Sequence, residues 1–232
     1  EELAAHLESN GDIALAPVAF TLQTGRQVLE RRAFVVASNV QEAIAQLRQA
    51  ASGRGVKATP GPAPGVVFLF PGQGSQQVNM GRELYAVEPI FRQNVDACLE
   101  LLRPRLGFDL KDLLFPPPER EAECQAKLTE TRYAQPALFV IEYALAQWWI
   151  SHGINPVATI GHSAGEYVGA CLAGIFTLSE ALELLVERGR HMFACPAGRM
   201  LALRMPEADV VALLTPELSI SALNAPELTV VS

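Results

Sequence analysis

Apolar positions divide the chain into segments of two kinds. Phe91, Val95, Cys98 and Leu102 recur at steps of three and four, which predicts an amphipathic helix over residues 89–103. A second helix is predicted from Tyr133 to near Gly153, with Leu138, Ile141, Leu145 and Trp148 on one stripe. A third spans Leu178 to Met192 and carries Ala181, Leu184, Leu185 and Arg188 on or beside its apolar stripe. Val66-Val67-Phe68-Leu69-Phe70 is continuously apolar, the pattern of a strand covered on both faces in a parallel sheet. Pro156-Val157-Ala158-Thr159-Ile160 reads as another strand, and Glu166 to Ala173 as the helix that follows it. Helix, strand, tight turn and helix in that order is the pattern of a doubly wound α/β sheet.

The flanks read differently. Residues 1–50 suggest a small α/β unit: a helix from Ala14 to Leu22 ending near Gly25, a strand from Arg32 to Ala37, then a helix with Ala43, Ile44, Leu47 and Ala51 on one side. Asn39 is placed to cap that last helix, with Glu42 as its capping-box partner. Residues 52–65 alternate glycine and proline with polar residues and predict a linker. Pro116, Pro117 and Pro118 mark a loop. Residues 199–232 read as a strand (Met200 to Arg204), a short helix (Glu207 to Leu214), and strands at Ser219 to Leu223 and Leu228 to Val231. That is the opening of a small mixed domain.

Composition narrows the function classes. The 232 residues carry a net charge of −7 and are half hydrophobic, enough for one large core or two small ones. No basic cluster stands out, which argues against nucleic acid and anionic membrane surfaces as partners. The most apolar stretch, Ala137 to Ile150, is interrupted by Glu142 and Gln147 and is shorter than the ~20 residues a spanning helix needs. The chain opens Glu1-Glu2-Leu3, with neither a secretory signal pattern nor an initiator methionine. A piece of a longer cytoplasmic protein is expected. Cys98, Cys124, Cys171 and Cys195 are scattered, form no C-x-x-C pair and lack histidines at ligand spacing, so reduced thiols and no metal are expected. His6 is expected at the surface, His152 at a helix C-terminus, and Trp148 and Trp149 in packing roles.

Three stretches carry candidate chemistry. Gly161-His162-Ser163-Ala164-Gly165 fits G-x-S-x-G between a strand and a helix, the context of a nucleophile elbow. The glycines leave room where strand and helix backbones crowd, and the helix N-terminus offers N–H groups to a developing oxyanion. Pro71-Gly72-Gln73-Gly74-Ser75-Gln76 follows the apolar strand, at the sheet edge where α/β ligands bind. It reads either as a phosphate loop, although neither dinucleotide nor P-loop spacing fits, or as backbone donors that complete an oxyanion site facing Ser163. Arg188 is a charge on an apolar stripe: either an ion pair with Glu183 or Glu187, or a guanidinium that binds a substrate carboxylate through two parallel hydrogen bonds.

Phe70-Pro71-Gly72-Gln73-Gly74-Ser75-Gln76, Gly161-His162-Ser163-Ala164-Gly165-Glu166, and Arg188 with Met192 together resemble the malonyl-CoA:acyl-carrier-protein transacylase family. Within it, the chain is most similar to the acyltransferase domain of a modular type I polyketide synthase. Pro17 to Arg26, followed by the Arg-Arg-Ala-Phe run, resembles the linker between ketosynthase and acyltransferase. The resemblance implies a linker domain at 1–60, a large α/β-hydrolase-like parallel-sheet subdomain at 61–196, and the start of a ferredoxin-like subdomain at 197–232. It implies Ser163 as nucleophile and the backbone N–H groups of Gln73 and Ala164 as oxyanion hole. Arg188 would bind the extender carboxylate, and Gln73, His162 and Asn224 would line the substrate cleft.

No bound cofactor is implied. Malonyl-CoA or methylmalonyl-CoA would be the substrate, and the phosphopantetheine thiol of an acyl carrier protein the acceptor. An upstream ketosynthase would be a partner, and the parent synthase a homodimer. The family's general base is a histidine roughly a hundred residues past the nucleophile, beyond residue 232. An α/β-hydrolase acting on acyl thioesters or esters is the rival, because the elbow is shared; a neutral ester gives Arg188 nothing to bind.

Overall fold

The computed structural model describes residues 1–27, 29, 31–53, 56–57, 64–196 and 198–232, apart from the side chains at 31, 56 and 57. The chain forms two compact units, Glu1–Pro64 and Gly65–Ser232. Most of the predicted linker at 52–65, residues 54–55 and 58–63, lies outside the described residues, and so does the expected boundary at 60.

In the first unit, α1 (Glu2–Ser9) packs on a later helix, and α2 (Leu15–Thr24) buries none of its side chains. β1 (Arg31–Arg32) pairs antiparallel with a two-residue strand farther on. α3 (Val40–Ser52) supplies the partner for α1, with Ala4, Leu7 and Ala43 buried between them. β2 (Val56–Lys57) closes the small ladder with β1. The cap of α3 forms as its sequence implies: Asn39 accepts from the Glu42 amide at 2.9 Å. The Glu42 carboxylate reaches one residue further back, to the Ser38 amide at 2.8 Å. His6 is exposed.

The strand expected at 32–37 is corrected. Ladder structure stops at Arg32, and Phe34 and Val36 are exposed. The Gln46 side chain on α3 takes both backbone groups of Val36, accepting at 3.2 Å and donating at 2.5 Å. Those groups are thereby satisfied without a neighbouring strand.

The second unit opens with β3 (Val66–Phe70). Then come α4 (Arg82–Val87), α5 (Pro89–Leu106), α6 (Lys111–Leu114), a 3-10 turn at Pro118–Arg120, and α7 (Glu121–Leu128). α8 (Thr131–Ser151) leads into β4 (Pro156–Gly161), α9 (Gly165–Leu172) and α10 (Leu178–Ala194). β3 and β4 pair in parallel, with Leu69 opposite Ile160 and Phe70 opposite Gly161. α5 lays Phe91, Val95, Cys98 and Leu102, all fully buried, into the core beside α8 and α10, as its spacing predicts. α10 begins with a full capping box between Thr177 and Glu180. Gly165 starts α9 directly against β3; a Cβ there would overlap the Phe70 carbonyl.

Two expectations change here. β3 was expected to be buried on both faces, yet Val66, Val67 and Leu69 are exposed, Leu69 at 71%. Among the described residues the sheet has only β3 and β4, which leaves much of these side chains open. α8 was expected to bury one stripe. Its residues from Ala134 to Glu142 are instead buried without interruption, because neighbours pack on it from several sides. His152 ends α8 with Nδ1 2.8 Å from the Trp148 carbonyl, and Trp148 and Trp149 stack edge to face with Trp149 partly exposed.

The chain finishes with β5 (Leu201–Leu203), α11 (Glu207–Val211), β6 (Ile220–Ala225) and β7 (Leu228–Val231). The strands form an antiparallel sheet in the order β5-β7-β6. Val210, Val230 and Val231 are buried, and the buried Thr229 hydroxyl donates to the Met205 carbonyl at 2.9 Å.

Two outcomes follow from this packing. Gly165→Ala is expected to lower stability by about 1–3 kcal/mol in urea denaturation, because the added methyl meets rigid backbone. The second concerns Glu142, whose carboxyl burial pushes up to about 8. The unfolded chain releases this proton near the ordinary value of 4.5, while the folded chain keeps it until about 8. Between these values the unfolded state binds fewer protons, so stability falls as pH rises, by at most ~1.4 kcal/mol per pH unit. Urea midpoints of this 232-residue chain and of its Glu142→Gln variant across this window check it; the variant is expected to lose that slope.

Candidate active site

The site grows from the parallel pairing of β3 and β4. Parallel strands end at the same sheet edge, so the turns after Phe70 and after Gly161 emerge side by side. The His162 amide donates to the Phe70 carbonyl at 2.9 Å and ties the two turns together. Gly72 lies against the second turn: a Cβ there would sit 2.7 Å from the His162 carbonyl and 3.3 Å from the Ser163 Cβ. A Cβ on Gly161 would overlap the Glu166 backbone. Both turns depend on glycine for the approach itself.

Ser163 occupies the left-handed region at φ 53°, one of two non-glycine residues with positive φ among the described residues. That conformation costs a serine on the order of 1–2 kcal/mol. The surrounding hydrogen bonds hold it there: Gly165 amide to His162 carbonyl at 3.0 Å, Glu166 amide to Ser163 carbonyl at 3.2 Å. The amides of Ala164 and Gln73 find no acceptor among the described residues, and Ala164 is buried. The Gln73 side chain points elsewhere, with Nε2 3.2 Å from the Thr131 hydroxyl oxygen at the start of α8. This tether and the Gly74 amide bond to the Gln76 Oε1 at 2.7 Å fix the loop.

Arg188 on α10 donates from Nη2 to the Ser163 Oγ at 3.1 Å. The two readings of Arg188 separate here. Glu187 is held by Arg190 at 2.6 Å and Glu183 by Arg105 at 3.0 Å, so neither neutralises it. Its Nη1 is buried with no partner. An arginine stays protonated, so this guanidinium is a cation beside the serine, 5.9 Å from the Tyr167 ring centre, with no carboxylate partner among the described residues and one nitrogen still free. Gly189, the next residue, lets α10 approach the α8 backbone: a Cβ would be 3.0 Å from the Arg132 Cα.

The other candidates are placed less centrally. His162 is exposed, with its ring beside Gly72 and no bond to Ser163. Asn224 lies on β6, exposed, and no hydrogen bond joins it to Ser163 or Arg188. His191 is exposed and sits 3.6 Å from Glu187. Sequence reasoning missed Gln135, fully buried on α8, whose Nε2 is 3.3 Å from the Met192 Sδ one turn past Arg188. Its signal was a lone amide inside the apolar run of α8. Among the described residues no group of His, Cys, Asp and Glu could hold a metal, and no helix is long and apolar enough to cross a membrane.

Residues 67–232 match the family model described as acyl transferase domain, and residues 1–47 match one described as CurL-like, PKS C-terminal. Erythronolide synthase EryA2 of Saccharopolyspora erythraea is 39% identical over 215 residues, covering 89% of this chain and 6% of that protein. Polyketide synthase GfsA of Streptomyces halstedii is 36% identical over 208 residues, covering 88% of this chain and 3% of that protein. Among solved structures, the acyl transferase domain of ZmaA superposes with a TM-score of 0.88 at 40% identity, over 99% of this chain and 54% of that one. The acyl transferase domain of SpnD, in complex with 2-(pent-4-yn-1-yl)malonyl, gives 0.85 at 39% identity, over 99% and 53%. The chain therefore spans about half the length of these solved structures and a small fraction of the curated relatives. In both fold and sequence, the chain belongs to the acyl transferase domain family of modular polyketide synthases.

Proposed function

We propose that the protein moves a malonyl-type extender unit from coenzyme A to the phosphopantetheine thiol of an acyl carrier protein, through an ester on Ser163. The observation that carries this reading is the Arg188 guanidinium, 3.1 Å from Ser163 and neutralised by no carboxylate among the described residues. A malonyl group brings one carboxylate in addition to its thioester. That carboxylate would accept from Arg188, the free Nη1 included, and its distance from the thioester carbonyl matches an arginine touching the nucleophile. A neutral ester leaves Arg188 unpaired, so the hydrolase reading is not favoured. The malonyl-type group bound in the SpnD relative supports the same substrate class.

On this reading the turn at 161–165 is a nucleophile elbow. Ser163 Oγ attacks the thioester carbonyl, the amides of Gln73 and Ala164 stabilise the oxyanion, and the CoA thiol leaves. The carrier thiol then attacks the seryl ester and restores Ser163. His162 and Asn224 would border the cleft. Ser163 needs a base, and none of His6, His152, His162 and His191 bonds to it. We assign that role to a histidine in the part of the domain that the solved relatives carry beyond the length spanned here. No cofactor takes part.

The domain reading follows the same line. Residues 1–60 would be the ketosynthase–acyltransferase linker, 61–196 an α/β-hydrolase-like subdomain, and 197–232 the opening of a ferredoxin-like one. A ketosynthase would lie upstream in a homodimeric cytoplasmic synthase.

The test is intact-mass spectrometry on a protein that spans the whole domain, incubated separately with malonyl-, methylmalonyl- and acetyl-CoA. A malonyl or methylmalonyl adduct is expected, and Ser163→Ala abolishes it. Release of free CoA with no adduct and no gain from carrier protein would overturn the transferase reading. Arg188→Ala is expected to lower kcat/KM for malonyl-CoA on the order of 100-fold, with little change for acetyl-CoA. Equal losses on both substrates would show that Arg188 only supports the fold.

A further inference from the structure

Glu142 is the one acidic side chain among the described residues whose two oxygens are both buried and without any hydrogen-bond partner. The residue is 8% exposed, and no described cation reaches it. It lines a trough of about 690 Å³ between β3 and α8. Apart from Ser75 the other walls are mainly apolar, among them Val67 and Leu69 of β3 and Leu138, Ile141 and Leu145 of α8. β3 pairs only with β4 among the described residues, so its second edge is open. An apolar trough beside an open strand edge fits an extended segment. A bare carboxylate in its wall is costly without a partner, and fits only a segment that brings a charge of opposite sign.

We propose that this trough receives an extended, mainly apolar segment from the remaining half of the acyl transferase domain, and that an arginine or lysine of that segment forms a buried ion pair with Glu142. Two observations single out this occupant. The solved relatives are nearly twice as long as the matched region, and they superpose on 99% of this chain. The trough combines an apolar lining with a single uncompensated negative charge. The proposal rests on family membership and not on the chemistry of Ser163. A domain that folds but never acylates leaves it standing.

The test compares wild type, Glu142→Gln and Glu142→Leu in a protein that spans the whole domain. Urea denaturation is expected to show the folded-to-unfolded ratio reduced on the order of 100-fold or more by both variants, because each strands a buried cation. Difference infrared spectroscopy against Glu142→Gln at about pH 7 is expected to show an ionised carboxylate. A neutral or stabilising Glu142→Leu, or a protonated carboxyl band, overturns the ion pair. A large loss for Glu142→Leu with none for Glu142→Gln also overturns it, in favour of a neutral backbone donor. If either variant fails to fold, the infrared band of the wild type, assigned with labelled glutamate, decides by itself.

Discussion

The close approach of two backbone turns at one sheet edge governs the functional part of this structure. Gly72, Gly161 and Gly165 each meet a backbone or Cβ neighbour at a distance that leaves no room for a side chain. Their contacts bring the loop after β3 onto the turn after β4, and the His162 amide locks the pair. Ser163 then has little choice of conformation. Its strained φ is sustained by the packing of its neighbours, not by any preference of serine. The two amides without a described acceptor, those of Gln73 and Ala164, lie in these same two turns.

A second constraint acts through α10. Gly189 draws that helix onto α8, and the adjacent Arg188 is carried toward Ser163. Neighbouring acids could neutralise the guanidinium, but other arginines engage them. These surface pairs contribute little to stability by themselves. Their consequence is to leave the half-buried Arg188 with one nitrogen unpaired beside Ser163. On the proposed function, substrate selection would thus depend on residues that never touch substrate.

Much of this was legible in the sequence, and the reason is locality. A tight turn is specified by glycines within five residues, an N-cap by Asn39 and Glu42 three apart, and the buried stripe of α5 by its spacing alone. Arg188 declared itself as a charge on an apolar face, although only the structure removed the ion pair with Glu183 or Glu187. What failed depended on distant partners. Residues 33–37 have strand composition, yet the backbone of Val36 is bonded by the Gln46 side chain instead of by a strand. The run at 66–70 calls for burial without naming what covers it. For α8, a one-stripe reading assumes a surface helix, whereas neighbours pack on it from several sides. Glu142 therefore read as a polar interruption, and Gln135 was passed over, when both are buried polar groups.

Arg188 and Glu142 make an instructive contrast on neighbouring helices. Each presents a buried polar atom without a partner, but they answer that condition differently. A carboxyl group can take up a proton, and burial drives Glu142 that way. An arginine cannot discharge itself at any pH a protein survives. The unmet need of Arg188 therefore persists until an anion arrives, which is the behaviour wanted of a substrate-binding group. The need of Glu142 is conditional: neutral where its trough stands open, ionised where a cation closes it. On the proposed function, one orphaned charge would mark a place left vacant between turnovers, while the other marks a place that folding should fill.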